Sequence, residues 1–470
     1  MSVFASRAWV GVAVGSVVLG VACGDPSSVS DEARVDSKSD AGPDGRDGGS
    51  LGDAEKPGTD AAFVVEAGAD GAAVDGSMDS GPPPFQDDCA GKVVACPTVP
   101  VGFVEGSGLR AVDRCAYPMK PVAGFGSNGA LLDALERLAP KRPMATVLAD
   151  TNRIATQTTT VPGGPPGIDY AFRWNAEDDA SETWIPQGIT GTADADVTGL
   201  VGGKRAVLVS FYEDAGLQKG VRIAITDVTN PAAPRYRFAL LVEPSGTVVA
   251  PTFAQVDIHA GGIVWYGTKL YVAQTGTGFR VFDMSRILEV AVDTDTMGCT
   301  NGVCRAGLYK YVIPQIGVFA DTTTCGHIFS WVSLDRSSSP PSLVSGEYCS
   351  TAACTSPLAG KVFRWPLDAS TGLLRGGMGV TWPTSVAFMS HRQVQGGAYR
   401  GGVGFFSSSA PAGGGGALYR VVVGRSATSV WGDAPEDLMV DEARSLLWSL
   451  SEAPGSRTVF AGRFTSYPAP

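Results

Sequence analysis

From Gly167 to the C-terminus the chain is a succession of short apolar runs cut by turns, and similar small motifs reopen that pattern at intervals. The runs are Ala206–Tyr212, Val221–Asp227, Ile263–Trp265, Leu270–Ala273, Phe279–Phe282, His327–Leu334, Leu343–Glu347, Lys361–Trp365, Gly404–Ser407, Leu418–Val423, Leu446–Ser449 and Thr458–Ala461. Most are rich in Val, Ile, Phe, Tyr and Trp, the residues that fit a pleated surface. With 61 Gly and 31 Pro in 470 residues, turns are cheap to place and long helical patterns are scarce. The openers are Pro186-Gln187-Gly188-Ile189, His259-Ala260-Gly261-Gly262-Ile263, Val394-Gln395-Gly396-Gly397 and Pro435-Glu436-Asp437-Leu438, with a glycine-free one near His327. Self-similarity at this scale predicts an all-β, radially repeated fold.

Strand arithmetic sets the blade number. The groups opening near Gln187, His259, His327 and Gln395 each have room for four strands, and the group after Glu436 has room for three. The segment from Asp169 to Trp174 precedes the first opener and has no partner there. Added to the last group, it closes a ring and removes an exposed sheet edge. The expectation is a five-bladed β-propeller over 166–470, with six blades as the alternative. Openers on innermost strands would bring Gln187, His259, His327, Gln395 and Glu436 around one axis, as a ligand-binding ring.

Two stretches carry a resemblance. Val221-Arg222-Ile223-Ala224-Ile225-Thr226-Asp227-Val228-Thr229-Asn230-Pro231 resembles the strand and turn of LVIVD-type propeller repeats. Leu270-Tyr271-Val272-Ala273 followed by Gly278-Phe279-Arg280-Val281-Phe282-Asp283 resembles another. The run from Trp184 to Trp448 is similar to uncharacterised secreted bacterial propeller-like lipoproteins. The resemblance implies a fold and no chemistry. Separately, Pro435-Glu436-Asp437-Leu438 resembles the Pro-Glu-Gly-Leu opener of calcium-dependent lactonase and arylesterase propellers. It implies Glu436 as a Ca2+ ligand, helped by Asp257 or Asp194, with His259 as the catalytic base. Against that hydrolase alternative, calcium wants six to eight oxygens, and polar groups on inner strands often only hold channel water. The main expectation is therefore a binding or scaffold module for a small molecule, glycan or protein, needing no cofactor. No Gly-x-Ser-x-Gly elbow, Walker loop or dinucleotide fingerprint sits in a fitting strand–helix context.

The N-terminal quarter is different in kind. Residues 1–22 read as a signal peptide: Arg7, then the uncharged run Ala8–Ala22, too short to span a bilayer comfortably. Leu19-Gly20-Val21-Ala22-Cys23 resembles a bacterial lipobox, with the aliphatic residue four positions before the cysteine instead of three. It implies lipidation of Cys23 and membrane attachment at the cell envelope, at the outer membrane or cell surface. Residues 23–86 form an acidic stalk. Positions 24–86 hold 14 acidic and 4 basic residues among Asp, Gly, Ala, Ser and Pro, too polar to offset their ordering entropy. The formal net charge of -11 is therefore mostly the stalk's. The nearly neutral remainder gives no reason to expect nucleic acid as a partner.

Residues 87–165 form a cysteine-bearing lead-in with one helix expected from about Asn128 to Leu138, where Leu131, Leu132, Leu135 and Leu138 share a face before Pro140. Beyond Cys23 there are eight cysteines, an even number suited to disulfides in an exported chain. Spacing suggests Cys299–Cys304, Cys349–Cys354 and Cys89–Cys96, leaving Cys115 to Cys325. Zinc is disfavoured, with no CxxC pair and three histidines, His259, His327 and His391.

Overall fold

The computed structural model describes residues 87–165, 167–350, 354, 356–376, 379–409 and 415–470. The signal segment, Cys23 and the stalk lie outside the described residues. From 168 onward the chain is a five-bladed β-propeller. Blade 1 is built from Trp184–Gly191, Ala206–Glu213, Val221–Asp227 and Arg235–Gly246. Blade 2 uses Ile263–Tyr266, Lys269–Gln274, Gly278–Asp283 and Tyr311–Asp321. Blade 3 uses Trp331–Asp335, Ser342–Gly346, Lys361–Pro366 and Ser385–Met389. Blade 4 uses Val394–Arg400, Val403–Ser408, Gly416–Val422 and Arg425–Gly432. Blade 5 takes Pro435–Asp441, Leu446–Ser451 and Thr458–Arg463 from the C-terminus, and its fourth strand, Ile168–Arg173, from before blade 1. That last pairing is antiparallel, Thr458 opposite Arg173 and Phe460 opposite Ala171. The ring closes as strand counting requires.

Each blade is sandwiched between two neighbours, so its strands bury both faces. Ala206–Phe211 and Val221–Thr226 are buried at every position, and they read as continuous apolar runs instead of alternating ones. The core follows the same plan, with an apolar cluster between each pair of successive blades. Trp331, Trp365, Trp431 and Trp448 are among its largest fully buried side chains. Innermost strands pack each against the next, and the last against the first. The opener glycines are there because backbones meet at the axis. A Cβ on Gly188 would lie 2.8 Å from Ile263 N, one on Gly262 2.2 Å from Val332 N, and one on Gly396 2.4 Å from the Cα of Asp437. No side chain fits at such distances.

The lead-in is woven onto the propeller rim. Leu109–Val112 adds a fifth strand to blade 3. Met119–Ala123 pairs with the outermost strand of blade 2, and Arg153–Ile154 with that of blade 1. Thr156–Thr158 pairs with Ile168–Arg173 in blade 5. The expected helix is present as Ser127–Leu138, and a second, Met144–Ala149, follows Pro143.

All eight cysteines downstream of the stalk are paired, but two bridges differ from the spacing argument. Cys299–Cys304 and Cys349–Cys354 form as expected. Cys89 joins Cys115, and Cys96 joins Cys325. The turn at Cys89 is held beside Arg114–Ala116 by ion pairs from Arg114 to Asp87 and Asp88, which brings Cys115 to Cys89 and leaves Cys96 for blade 3. The 229-residue separation closed by Cys96–Cys325 restricts the unfolded chain more than a five-residue loop does: about 5 against about 2 kcal/mol in the chain-entropy model.

Candidate binding site at the mouth of the channel

All innermost strands run the same way, so their first residues share one end of the central channel. At that end Gln395 Nε2 donates to Glu436 Oε1 across the blade 4–blade 5 junction at 3.1 Å. Gln187 Nε2 donates to Glu452 Oε2 at 2.8 Å and to the Pro186 carbonyl at 3.1 Å. Glu452 belongs here because the hairpin of blade 5 places Ser451 opposite Pro435. Tyr212 is the penultimate residue of the second strand of blade 1, and His259 lies against it with ring centroids 4.3 Å apart.

These carboxyls are not ordinary. Burial pushes Glu436 well above the usual carboxylate range, and the nearby Glu452 and Asp437 charges push the same way. Burial also raises Glu452, against the lowering hydrogen bond from Gln187 and the charge of Arg457. Burial raises the Tyr212 hydroxyl, and Asp214, Glu452 and Glu436 add to it. His259 is lowered by the density of protein around it, opposed by Asp214. The residue is nevertheless exposed, so His259 is crowded by protein on one side and open to solvent on the other. The mouth is thus a lattice of amides and of carboxyls whose charged forms burial disfavours, beside an imidazole–phenol stack.

Four of the five ring residues, Gln187, His259, Gln395 and Glu436, belong to this constellation, although His259 reaches it from the loop before Ile263 and not from the innermost strand itself. His327 does not. The innermost strand of blade 3 starts at Trp331, and His327 turns back into the blade interior between Phe329 and Phe363, at centroid distances of 3.6 and 3.7 Å. Burial holds it well below its ordinary pKa, and the charge of Lys361 lowers it further. His391 stacks on Tyr419 in blade 4 at 4.0 Å. Sequence reasoning missed Tyr212, Asp214 and Glu452. Hairpin register was the available signal, since residues just past the end of a second strand return to the level of the opener.

Among the described residues, Glu436 is not in a group of three or more candidate metal ligands. Asp194 lies at the opposite end of the channel, beyond the end of blade 1's innermost strand, and Asp257 is exposed, accepting from Gln255. Among the described residues, the group bringing three candidate ligand atoms within 4.8 Å of one another is Asp87, Asp88 and Cys89. There Cys89 is in a disulfide and both carboxylates face Arg114.

No protein-family model matches the chain, and no curated protein does. Among solved structures, a GH43_1 enzyme from Xanthomonas citri aligns over 71% of this chain and 93% of its own, at 9% identity and TM-score 0.28. The same enzyme with xylotriose gives 10% identity and TM-score 0.27 over the same shares. RS223-Beta-xylosidase aligns over 59% of this chain and 92% of its own, at 10% identity and TM-score 0.26. At such scores the chemistry of those enzymes does not transfer to this chain.

Proposed function

We propose that this chain is an exported, lipid-anchored propeller whose channel mouth binds a neutral, polyhydroxylated ligand of the glycan class. The observation that carries this is the pairing of amides with buried carboxyls, Gln395 with Glu436 and Gln187 with Glu452. Burial favours the uncharged form of both carboxyls; in that form a carboxyl both donates and accepts, as an amide does, and such groups match hydroxyls without demanding a counter-charge. The Tyr212–His259 stack supplies a flat apolar face next to them. Export and anchoring rest on the signal-like residues 1–22, on Cys23 and on the acidic stalk. They also suit a fold with four disulfides, which persist in oxidising compartments.

The test is calorimetric titration of the full chain with neutral oligosaccharides of glucose, xylose and mannose. Saturable binding is expected, weakened at least tenfold by Gln395→Ala and by Gln187→Ala, with both variants folded by circular dichroism. Absence of binding across the panel, or binding indifferent to both variants, overturns it. Hydrolysis of a bound sugar, lost in Glu436→Gln and Glu452→Gln, would make the pair an acid–base couple instead. Anchoring is tested separately: Cys23→Ser should move the protein out of the detergent phase.

A further inference from the structure

Away from the channel, a cleft of about 250 Å3 opens at the outer seam of blades 1 and 2. It forms where Asn152–Arg153 of the lead-in lies against the outermost strand of blade 1, facing the loop Gly307–Lys310. Its walls carry Arg153, Arg222, Arg237 and Lys310, an unusual density of cations in a chain with a net charge of -11.

Their counter-charges fall short. Asp178 alone serves both Arg222 and Arg153, each at 3.1 Å, while also accepting from the Tyr236 hydroxyl at 2.5 Å. Asp150 alone serves Arg237 at 3.1 Å and Lys310 at 2.7 Å. Lys310 reaches a second carboxylate, Glu289, at 3.4 Å, but Arg142 already holds that one at 2.5 Å. Five cations thus face three carboxylates, a surplus of two positive charges.

Arg222 shows the shortage most sharply. Its side chain is 7% exposed, its guanidinium carbon lies 3.7 Å from the Phe238 ring centroid, and its Nε has no hydrogen-bond acceptor. A buried donor left unmatched costs about 1–3 kcal/mol, and a cation so desolvated is held without a full complement of partners. The same surplus reaches Arg457 behind it. Burial lowers that guanidinium to about 10, with Arg222 contributing to the lowering against the acids Asp179 and Glu452.

We infer that the cleft binds a tetrahedral oxyanion, phosphate or sulfate, as the free dianion or as the terminal group of a small ester. The surplus of two charges matches a dianion. Guanidinium forks match phosphate and sulfate oxygens geometrically. The volume equals about eight waters at ~30 Å3 each, which suits one oxyanion with a small organic group.

The experiment titrates the full chain with inorganic phosphate, sulfate and glucose 6-phosphate, against chloride at matched ionic strength, by calorimetry and thermal melting. One saturable site of submillimolar affinity is expected for at least one oxyanion. Arg153→Gln and Lys310→Gln should each weaken it at least tenfold, and Arg235→Gln, an exposed neighbour outside the cleft, should leave it unchanged. If Arg153→Gln does not fold, Lys310→Gln decides alone, since its ammonium is at the rim. Tighter binding of glucose 6-phosphate than of phosphate marks an ester as the ligand, and equal binding marks the free ion. Stabilisation no greater than chloride gives, or an equal loss in Arg235→Gln, overturns the site.

Discussion

The two ends of the central channel are built from similar residues and solve the burial of carboxyls in opposite ways. At the upper mouth, Glu436 and Glu452 meet amides from neighbouring strands, and the exposed His259 and Asp214 leave the site open to water. At the lower end, the short helix Thr192–Ala195 packs against the innermost strands of blades 1, 2 and 5 and stoppers the channel. Its Asp194 accepts from the Thr190 hydroxyl at 2.7 Å. Arg336 donates to the Asp194 carbonyl, and Asp441 is held by Arg444 at 2.8 Å. The lower end ties its carboxyls to protein partners, although Arg336 Nε stays buried without an acceptor. The upper end pairs its carboxyls with Gln395 and Gln187 across blade junctions and leaves His259 and Asp214 exposed. Buried acids alone therefore do not distinguish the two ends; exposure and pairing with amides do.

The largest effect should come from the tie between the two ends. Asp437 Oδ2 accepts from Ile189 N at 3.1 Å and Ile263 N at 3.4 Å, joining blade 5 to blades 1 and 2. Asp437→Ala strands two buried donors and should cost about 2–6 kcal/mol by denaturant unfolding. Asp437→Asn, which keeps an acceptor, should cost far less. Equal losses would mean that the carboxyl's charge matters and not its geometry.

At the lower end, burial raises Asp194 to about 7, with the Asp441 charge adding and Thr190 and Arg336 opposing. The folded protein then holds a proton that the unfolded chain releases near pH 4. Stability from this group is full below that range, declines as pH rises toward 7, and is flat above. Asp194→Asn should be nearly neutral at pH 4 and stabilise by up to about 4 kcal/mol at pH 8. An effect independent of pH would show that the plug holds a carboxylate.

The smallest effect is expected at the mouth. Glu436→Gln keeps an oxygen to accept from Gln395 and removes a charge that burial disfavours, so unfolding free energy at pH 7 should shift by less than about 1 kcal/mol while glycan affinity falls. A large stability loss would make the mouth structural like the plug and remove the contrast.

Much of this was legible in the chain. The run from Asp169 to Trp174 had no neighbour to pair with, and the last group lacked one strand; closure at Ile168–Arg173 follows from the cost of an open edge. The opener motifs were visible too, although their glycines mark backbone contact at the axis, not turns. His327 was misplaced because the aromatic run around it has the composition of a strand, while the pairing that begins at Trp331 depends on Gly346 opposite it. Glu452 was invisible because its place is set by hairpin register and not by any local pattern.

Local pattern by itself determined the β class, favoured five blades over six and pointed to the strand that closes the ring, because apolar runs and turn residues act over a few neighbours and blade formation repeats the same local step. The cysteine partners, the gathering of Glu452 and Tyr212 beside Glu436, and the basic cleft at the blade 1–2 seam were decided only by the tertiary structure. Each depends on residues tens to hundreds of positions apart, brought together by the curvature of the ring and by the path of residues 87–165 along its rim. A single sequence carries no local signal of such proximity, because the contacts repay their loop-closure entropy only after the ring has formed.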